Sequence, residues 1–307
     1  MDMDTFLTAL YVVADDFSKT QLSLRVKTGP EPSLSCAEVI TLAVFGQWQG
    51  FDSERGFYRF AVKNLREAFP TLPHRSQFNR SLRDHAGAIA AFGIHMAELL
   101  DARNCPYEAV DTSGVPVRNS KRGGPGWLDG IADIGWCNLR RWIEGFRMIA
   151  SVNPDGVITG FGFGPASAKD QPLAEELFAA RKAQTTLLPS AGKPALGHYV
   201  VDKGFQGLDI HQRWNLQYGA EVVCAPRRDS KDAWSTEMLR WLSGIRQIVE
   251  TVFDKLKHTF RLDRERPHCL AGFAVRLSAK VALHNFCIWI NDRLGRPKLA
   301  FADLISW

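Results

Sequence analysis

The N-terminal third of the chain has hydrophobic positions at intervals of three and four residues. "FLTALYVVADDF" and "SCAEVITLAVFGQW" show this spacing, and "SERGFYRFAVKNL" and "AGAIAAFGIHMAELLDAR" continue it. In the second segment Ser35 and Glu38 have the spacing of a helix capping box. The pattern predicts an all-helical region over residues 1–104.

From residue 105 onward, short runs of β-branched and aromatic residues replace the helical spacing. "YEAVDTSGVPV", "RWIEGFRMIASVNPDGVITGFGFG" and "LGHYVVDKGF" have the length and composition of strands, and "NPDG" predicts a hairpin turn. Helices are predicted at 171–183 and 208–217, and a strand at 220–225. The alternation predicts a mixed α/β domain over 105–307. Its C-terminal helix, in "GFAVRLSAKVALHNFCIWINDRL", is expected to pack on the sheet or on a partner subunit.

A short polar helix is predicted between two of the N-terminal helices. Two prolines precede "HRSQFNRSLRDH", in which Arg75 and Arg80 accompany Gln and Asn. A DNA-reading helix carries these side-chain types into a groove. A helix-turn-helix and a plain turn followed by a surface helix both fit this segment.

Composition narrows the class of protein. The chain has 307 residues, a net charge of +5 and six scattered cysteines without a C-x-x-C pair, so neither a zinc site nor a disulfide framework has the required spacing. The sequence shows no apolar run of 18 residues, and the acidic N-terminus lacks the features of a secretory signal. We therefore expect a cytoplasmic protein with no membrane partner.

Positive charges occur in five clusters along the chain. The bases that we take as candidate DNA contacts from these clusters are Arg75, Arg80, Arg122 and Arg141, with further bases between residues 255 and 266. Any one cluster is well explained as a solvated surface. Five clusters in one chain favour a nucleic-acid partner.

Two aspartates occupy matching positions after apolar runs. Asp111 ends "EAVD" and Asp202 ends "YVVD", so both are expected at the C-terminal ends of strands, where α/β domains place their sites. Three acids brought together, with Glu250 as the third, would repel one another unless a hard cation such as Mg²⁺ were bound. The alternative is local: a turn at Asp111, and ion pairs of Asp202 with Lys203 and of Glu250 with Arg246.

The helix in "LSGIRQIVETVFDKLKHTF" carries Glu250 between two bases. At about 100° per residue, Arg246, Glu250 and Lys257 fall on one stripe that flanks the apolar face. Elsewhere, Asp170 is interpreted as a helix cap in preference to a fourth acid. Trp127, Trp136 and Trp142 can stack on an unpaired nucleotide, but core packing is the preferred interpretation for Trp142.

These motifs resemble those of the small bacterial insertion-sequence transposases of the DDE class. "VDTSGV", "VVDKGF" and "IRQIVETVF" match in order the family's first Asp, second Asp and Glu, and "GFRMIASVNPDGVITGF" followed by "SAKDQ" resembles its hairpin and following Asp. Many members carry Tyr, Arg, Glu and Lys at fixed spacing around the Glu. Arg246, Glu250 and Lys257 match that spacing, whereas Ser243 stands at the Tyr position.

The resemblance implies a ribonuclease H-like mixed sheet with flanking helices, preceded by the all-helical region, which would serve in DNA binding or dimerisation. It implies that Asp111, Asp202 and Glu250 are catalytic and hold Mg²⁺, for which Mn²⁺ can substitute. Arg246, Lys257 and Lys203 would contact DNA phosphates.

The expected partner is double-stranded DNA, comprising terminal inverted repeats and target DNA, bound by a homodimer in the bacterial cytoplasm at the nucleoid. The expected reaction is cleavage at element ends, with joining of the 3′-hydroxyl to target DNA. The alternatives are a metal-dependent nuclease of the same fold without strand transfer, and a DNA-binding repressor or domesticated transposase with a silent site.

Overall fold

The chain forms two compact units. The computed structural model describes residues 1–22, 32–48, 51, 53–119, 124–126, 128–137, 141–187, 197–226 and 234–305. The first unit combines Met1–Met96 with His258–Trp307, and the second is Ala97–Lys257. This division differs from the predicted one, 1–104 and 105–307, because the C-terminal helices group with the N-terminal helices and not with the sheet.

The described helices and strands are as follows. The helices are α1 (Met3–Thr20), α2 (Cys36–Phe45), α3 (Glu54–Asn64), α4 (Arg75–Asp84), α5 (Ala86–Leu99), α6 (Asp170–Leu187), α7 (Leu208–Tyr218), α8 (Thr236–Asp254) and α9 (Leu270–Arg293). The strands are β1 (Glu108–Arg118), β2 (Asp133–Cys137), β3 (Arg141–Val152), β4 (Ile158–Pro165), β5 (His198–Val201) and β6 (Glu221–Cys224).

The helical unit is organised around α9, which is buried along most of its length and packs against α2 and α4. The prediction that this helix packs on the sheet is therefore wrong. Its polar residues, which suggested an amphipathic helix, find partners inside the unit: Lys280 Nζ lies 3.0 Å from Glu265 Oε1 and donates to Gln47 Oε1 at 2.9 Å. Burial lowers the pKa of Lys280 to about 8. The predicted capping box at α2 is confirmed.

One helix among the described residues is long and apolar enough to cross a membrane, and it is α9. Because 83% of its apolar window is buried inside the protein, α9 has the character of a core helix.

The second unit contains a six-stranded mixed sheet. Its order is β2-β3-β1-β5-β6, and β4 pairs with the part of β3 that β2 leaves uncovered. β1 runs antiparallel to β3 but parallel to β5, and β5 runs parallel to β6. An antiparallel hairpin beside three parallel strands is the ribonuclease H-like arrangement, so the predicted fold class is confirmed.

The hairpin of β3 and β4 turns where the sequence predicted. Asn153 Oδ1 accepts hydrogen bonds from the backbone N–H groups of Asp155 and Val157, and Gly156 has a φ of 85°, which favours glycine. Strand β2 was not predicted. Its residues are mostly exposed, so no apolar alternation marks it.

Helices cover both faces of the sheet. Val110, Tyr199 and Val201 pack with α6 and α7 on one face, whereas Val200 packs with Leu242 of α8 on the other. Successive residues of a strand point to opposite faces. Along the central strands, buried side chains therefore pack alternately against α6 and α7 or against α8.

An ion pair lies buried beneath the sheet. Arg181 of α6 makes two hydrogen bonds to the carboxylate of Glu108 in β1, one of them 2.9 Å long. Arg181 also donates to Ser151 Oγ at 3.1 Å and to Thr159 Oγ1 at 3.2 Å. Glu108 has no exposed surface, so its charge must be compensated inside the protein, and Arg181 supplies the direct hydrogen bonds.

We predict that Arg181→Met destabilises the protein by about 3–5 kcal/mol, because it leaves the Glu108 carboxylate buried and unpaired. Urea unfolding would measure this cost, and Arg181→Met combined with Glu108→Leu should recover most of it. The matched control is Arg213→Ala, which removes a half-exposed pair with Glu175 and should cost about 0–1 kcal/mol. A cost for Arg181→Met no larger than that of the control would contradict the prediction.

Candidate active site

Parallel pairing of β1 with β5 places two aspartates side by side. The register pairs Val110 of β1 with Val201 of β5. Asp111 and Asp202 directly follow these two residues, so they lie next to each other. As predicted, Asp202 directly follows a strand. The prediction that Asp111 ends its strand is wrong, because pairing with β3 extends β1 to Arg118.

One arginine of α8 links these aspartates to the third acid. Arg246 Nη2 lies 3.5 Å from Asp111 Oδ2, and Nη1 lies 3.4 Å from Asp202 Oδ1. The same Nη2 lies 4.0 Å from Glu250 Oε1, one helical turn away. Three acids from three elements therefore surround one guanidinium. We call Asp111, Asp202 and Glu250 the carboxylate cluster.

The three acids of the carboxylate cluster differ in the exposure of their side chains. The side chains of Asp111, Asp202 and Glu250 are 20%, 48% and 63% exposed, respectively. Burial raises the pKa of the Asp111 carboxyl to about 6, against the hydrogen bond from Thr112 N and the charge of Arg246. The charge of Asp202 raises it further. The buried end of the cluster therefore holds a proton more tightly than an ordinary aspartate.

The second base of the helix stripe reaches the same strand. Lys257 Nζ donates to Ser113 Oγ, two residues after Asp111 and therefore on the same face of the sheet. The predicted continuous helix is interrupted here, because α8 ends at Asp254 and a π-helical segment, Lys255–Thr259, follows it. Both bases that match the family signature thus lie against β1 on its α8 face.

The opposite face of β1 carries a polar contact that the sequence reasoning missed. Thr112 Oγ1 donates to Asp170 Oδ1 at 2.7 Å, and Arg147 Nη1 donates to the same oxygen at 2.9 Å. Asp170 is the first residue of α6, and its carboxylate faces the sheet instead of capping the helix as interpreted. One signal in the sequence could have indicated a role for Asp170 beyond capping. The hairpin followed by an Asp in "SAKDQ" resembles the order found in the family.

The remaining predicted DNA contacts fall in different parts of the chain. Arg75 and Arg80 are exposed on α4 of the helical unit, and Lys203 is exposed directly after Asp202. Arg141 is the first residue of β3. Arg122 lies outside the described residues, as does Trp127. Ser243, at the Tyr position of the family signature, is exposed on α8.

Two of the sequence-selected tryptophans are exposed. Trp142 is 61% exposed and Trp136 is 48% exposed, so the expectation that Trp142 packs in the core is wrong. Its strand position alternates with apolar residues, but this end of β3 pairs with the mostly exposed strand β2.

The carboxylate cluster has the donor chemistry of a site for a hard divalent cation. Its three acids offer carboxylate oxygens as ligands, and they surround the positively charged guanidinium of Arg246. As the side chains stand, no group of three or more His, Cys, Asp or Glu residues within the described part of the chain is spaced to hold a metal. The guanidinium of Arg246 lies among the carboxylates instead.

Comparison with known families agrees with the fold. The family model of the transposase DDE domain matches residues 109–286, more than half of the chain. The chain therefore belongs to the DDE transposase family, whose members bind DNA and normally use divalent metals. Comparisons with curated proteins and with solved structures gave no match.

The raised pKa of Asp111 gives a prediction for stability in the presence of EDTA. Because the folded-state pKa of about 6 lies above the ordinary aspartate value of 3.8, the wild type loses stability as pH rises through that interval. Asp111→Asn lacks this titration, so its stability relative to wild type should increase between pH 4 and pH 6 by about 2 kcal/mol and then level off. Chemical unfolding at a series of pH values measures it. A pH-independent difference would show that Asp111 titrates normally.

Proposed function

We propose that the protein is the transposase of an insertion sequence, which cuts DNA at the element ends and joins the freed 3′-hydroxyl to target DNA. The observation that carries the proposal is the convergence of Asp111, Asp202 and Glu250 around Arg246. These acids come from β1, the end of β5 and α8, which is the order that the family resemblance implies for its catalytic acids.

In this proposal the carboxylate cluster holds Mg²⁺, for which Mn²⁺ can substitute. When held by these carboxylates, such an ion would supply activation of a water or 3′-hydroxyl and stabilisation of the leaving oxygen in phosphoryl transfer. Asp111 forms the buried end of the cluster, and the more exposed Asp202 and Glu250 face the DNA. Their ionised forms are required, so activity should fall as pH drops below the pKa of Asp111.

Arg246 and Lys257 would act on the DNA strand being cut. Both side chains lie on the α8 face of β1, with Arg246 at the carboxylates and Lys257 at Ser113. Guanidinium and ammonium groups are the common partners of DNA phosphates, and such contacts fix the position of the strand. Lys203, next to Asp202 along the chain, would add a third phosphate contact.

The helical unit would supply recognition of the element ends. Exposed Arg75 and Arg80 on α4, together with Gln77, present the side-chain types that read base edges. We expect the protein to act as a homodimer on terminal inverted repeats, in the bacterial cytoplasm at the nucleoid. A nuclease of the same fold would bind and cut but would leave no joined products.

We predict that Asp111→Ala, Asp202→Ala and Glu250→Gln each reduce DNA cleavage at least about a thousandfold, because each removes an oxygen ligand whose metal stabilises the transition state by several kcal/mol. Affinity for a labelled element-end duplex in EDTA should change little. Gel electrophoresis with Mg²⁺ separates nicked, joined and merely bound DNA. If one of these variants cuts at the wild-type rate, its residue is outside the site.

We further predict that Arg246→Ala and Lys257→Ala slow joining at saturating Mg²⁺, because strand positioning is lost. Arg246→Lys should also be impaired, since lysine cannot make a bidentate contact. Arg240→Ala is the matched control, because Arg240 is exposed on the same helix and outside the cluster. Joining assays and thermal unfolding on the same proteins separate function from stability. A stable Lys257→Ala variant with full joining activity would exclude Lys257.

A further inference from the structure

Each aspartate of the carboxylate cluster accepts a hydrogen bond from the backbone of the residue that follows it. Thr112 N donates to Asp111 Oδ1 at 2.7 Å, and Lys203 N donates to Asp202 Oδ1 at 2.5 Å. Hydrogen bonds to an ionised carboxylate are short and strong, so they favour one orientation of the side chain. The orientation of the two carboxylates therefore depends on the segments that follow them, which are β1 beyond Asp111 and the 3₁₀ turn Lys203–Phe205.

One side chain at the start of α6 touches both of these segments. Asp170 Oδ1 accepts a hydrogen bond from the hydroxyl of Thr112 at 2.7 Å. Its other oxygen, Oδ2, lies so close to Gly204 that a Cβ added there would be only 2.5 Å away. The next residue of α6 also holds the turn, because Gln171 Nε2 donates to the carbonyl oxygen of Gln206 at 2.6 Å. The start of α6 therefore connects the segment after one aspartate to the segment after the other.

Asp170 is itself held in place by β3. Arg147 Nη1 donates to Asp170 Oδ1 at 2.9 Å, and Arg147 Nη2 donates to the carbonyl oxygen of Trp136 at 2.8 Å. The side chains of Arg147 and Asp170 are only 20% and 24% exposed, so water and salt screen this ion pair less than a pair on the surface. Asp170 thus has its own compensating base, whereas the three acids of the carboxylate cluster surround Arg246.

From these contacts we propose that Asp170 is a positioning residue, which sets the separation of Asp111 and Asp202 by binding the segments that follow them. The inference rests on the proposed function, in which both aspartates hold Mg²⁺. Because this ion demands near-ideal geometry from its oxygen ligands, a shift of either segment would lower the affinity of the site. Asp170 acts from the α6 side of β1, through Thr112 and Gly204, and not as a ligand.

The test measures Mn²⁺ binding to the DNA-free protein by electron paramagnetic resonance, together with the Mn²⁺ dependence of DNA cleavage. Asp170→Ala and Thr112→Val each remove the hydrogen bond between α6 and β1. Each should weaken Mn²⁺ binding by about tenfold to a hundredfold, the usual effect of losing a group that orients metal ligands. Thr112→Ser restores the hydroxyl and should bind nearly as tightly as wild type. The matched control is Asp209→Ala, which removes an exposed acid from the first turn of α7 and should change nothing.

The contact at Gly204 gives an independent test of the same role. Gly204→Ala places a Cβ against Asp170 Oδ2, so it should also weaken Mn²⁺ binding. That oxygen is absent from Asp170→Ala, and combining the two substitutions should therefore cause little further loss, since changes that act through one contact are not additive. Fully additive losses would contradict the proposal.

The outcomes distinguish a failure of this inference from a failure of the proposed function. Thermal unfolding identifies variants that are merely unstable, and Thr112→Val, which exchanges one β-branched residue for another, keeps the test decisive if Asp170→Ala does not fold. If wild type binds Mn²⁺ and the folded variants bind it equally well, or if Thr112→Ser is as weak as Thr112→Val, only the positioning role is overturned. If wild type neither binds Mn²⁺ nor cuts DNA with it, the proposed function and this inference fail together.

Discussion

The parallel pairing of β1 with β5 is the constraint on which the site depends. Its last pair, Val110 with Val201, fixes Asp111 and Asp202 as neighbours, and the alternation of strand side chains then directs Asp111 toward α8 and Thr112 toward α6. Two neighbouring carboxylates of like charge need a compensating positive charge, and the guanidinium of Arg246 supplies it. A slip of one residue in this register would reverse both directions and separate the acids from α8.

The two faces of β1 divide the chemistry between them. On the α8 side, Arg246 and Lys257 contact Asp111 and Ser113. On the α6 side, Thr112 donates to Asp170, which also accepts from Arg147. In the proposed function the first face positions the strand that reacts, whereas the second joins the start of α6 to β1. Both roles follow from three consecutive residues of a single strand.

Buried charges in both units are compensated inside the same unit. Glu108 is paired with Arg181 beneath the sheet, and Lys280 is paired with Glu265 within the helical unit. These groups have low exposure and a structural role, in contrast to the carboxylate cluster, which opens to solvent at Glu250. Glu108 and Glu265 are therefore closed to a substrate, whereas Glu250 is open to one.

The sequence by itself determined the elements and the order of the acids. Periodicity predicted the helices because burial of one face leaves a repeat in the sequence. The turn residues "NPDG" predicted the hairpin, and the family motif selected Asp111, Asp202 and Glu250. It did not reveal β2, the exposure of Trp142, or the contact of Thr112 with Asp170, since exposed strands have no apolar repeat and Asp170 is 58 residues from its partner. Only the tertiary structure decided that α9 belongs with the N-terminal helices, because pairing between distant segments depends on complementary surfaces that no local pattern encodes.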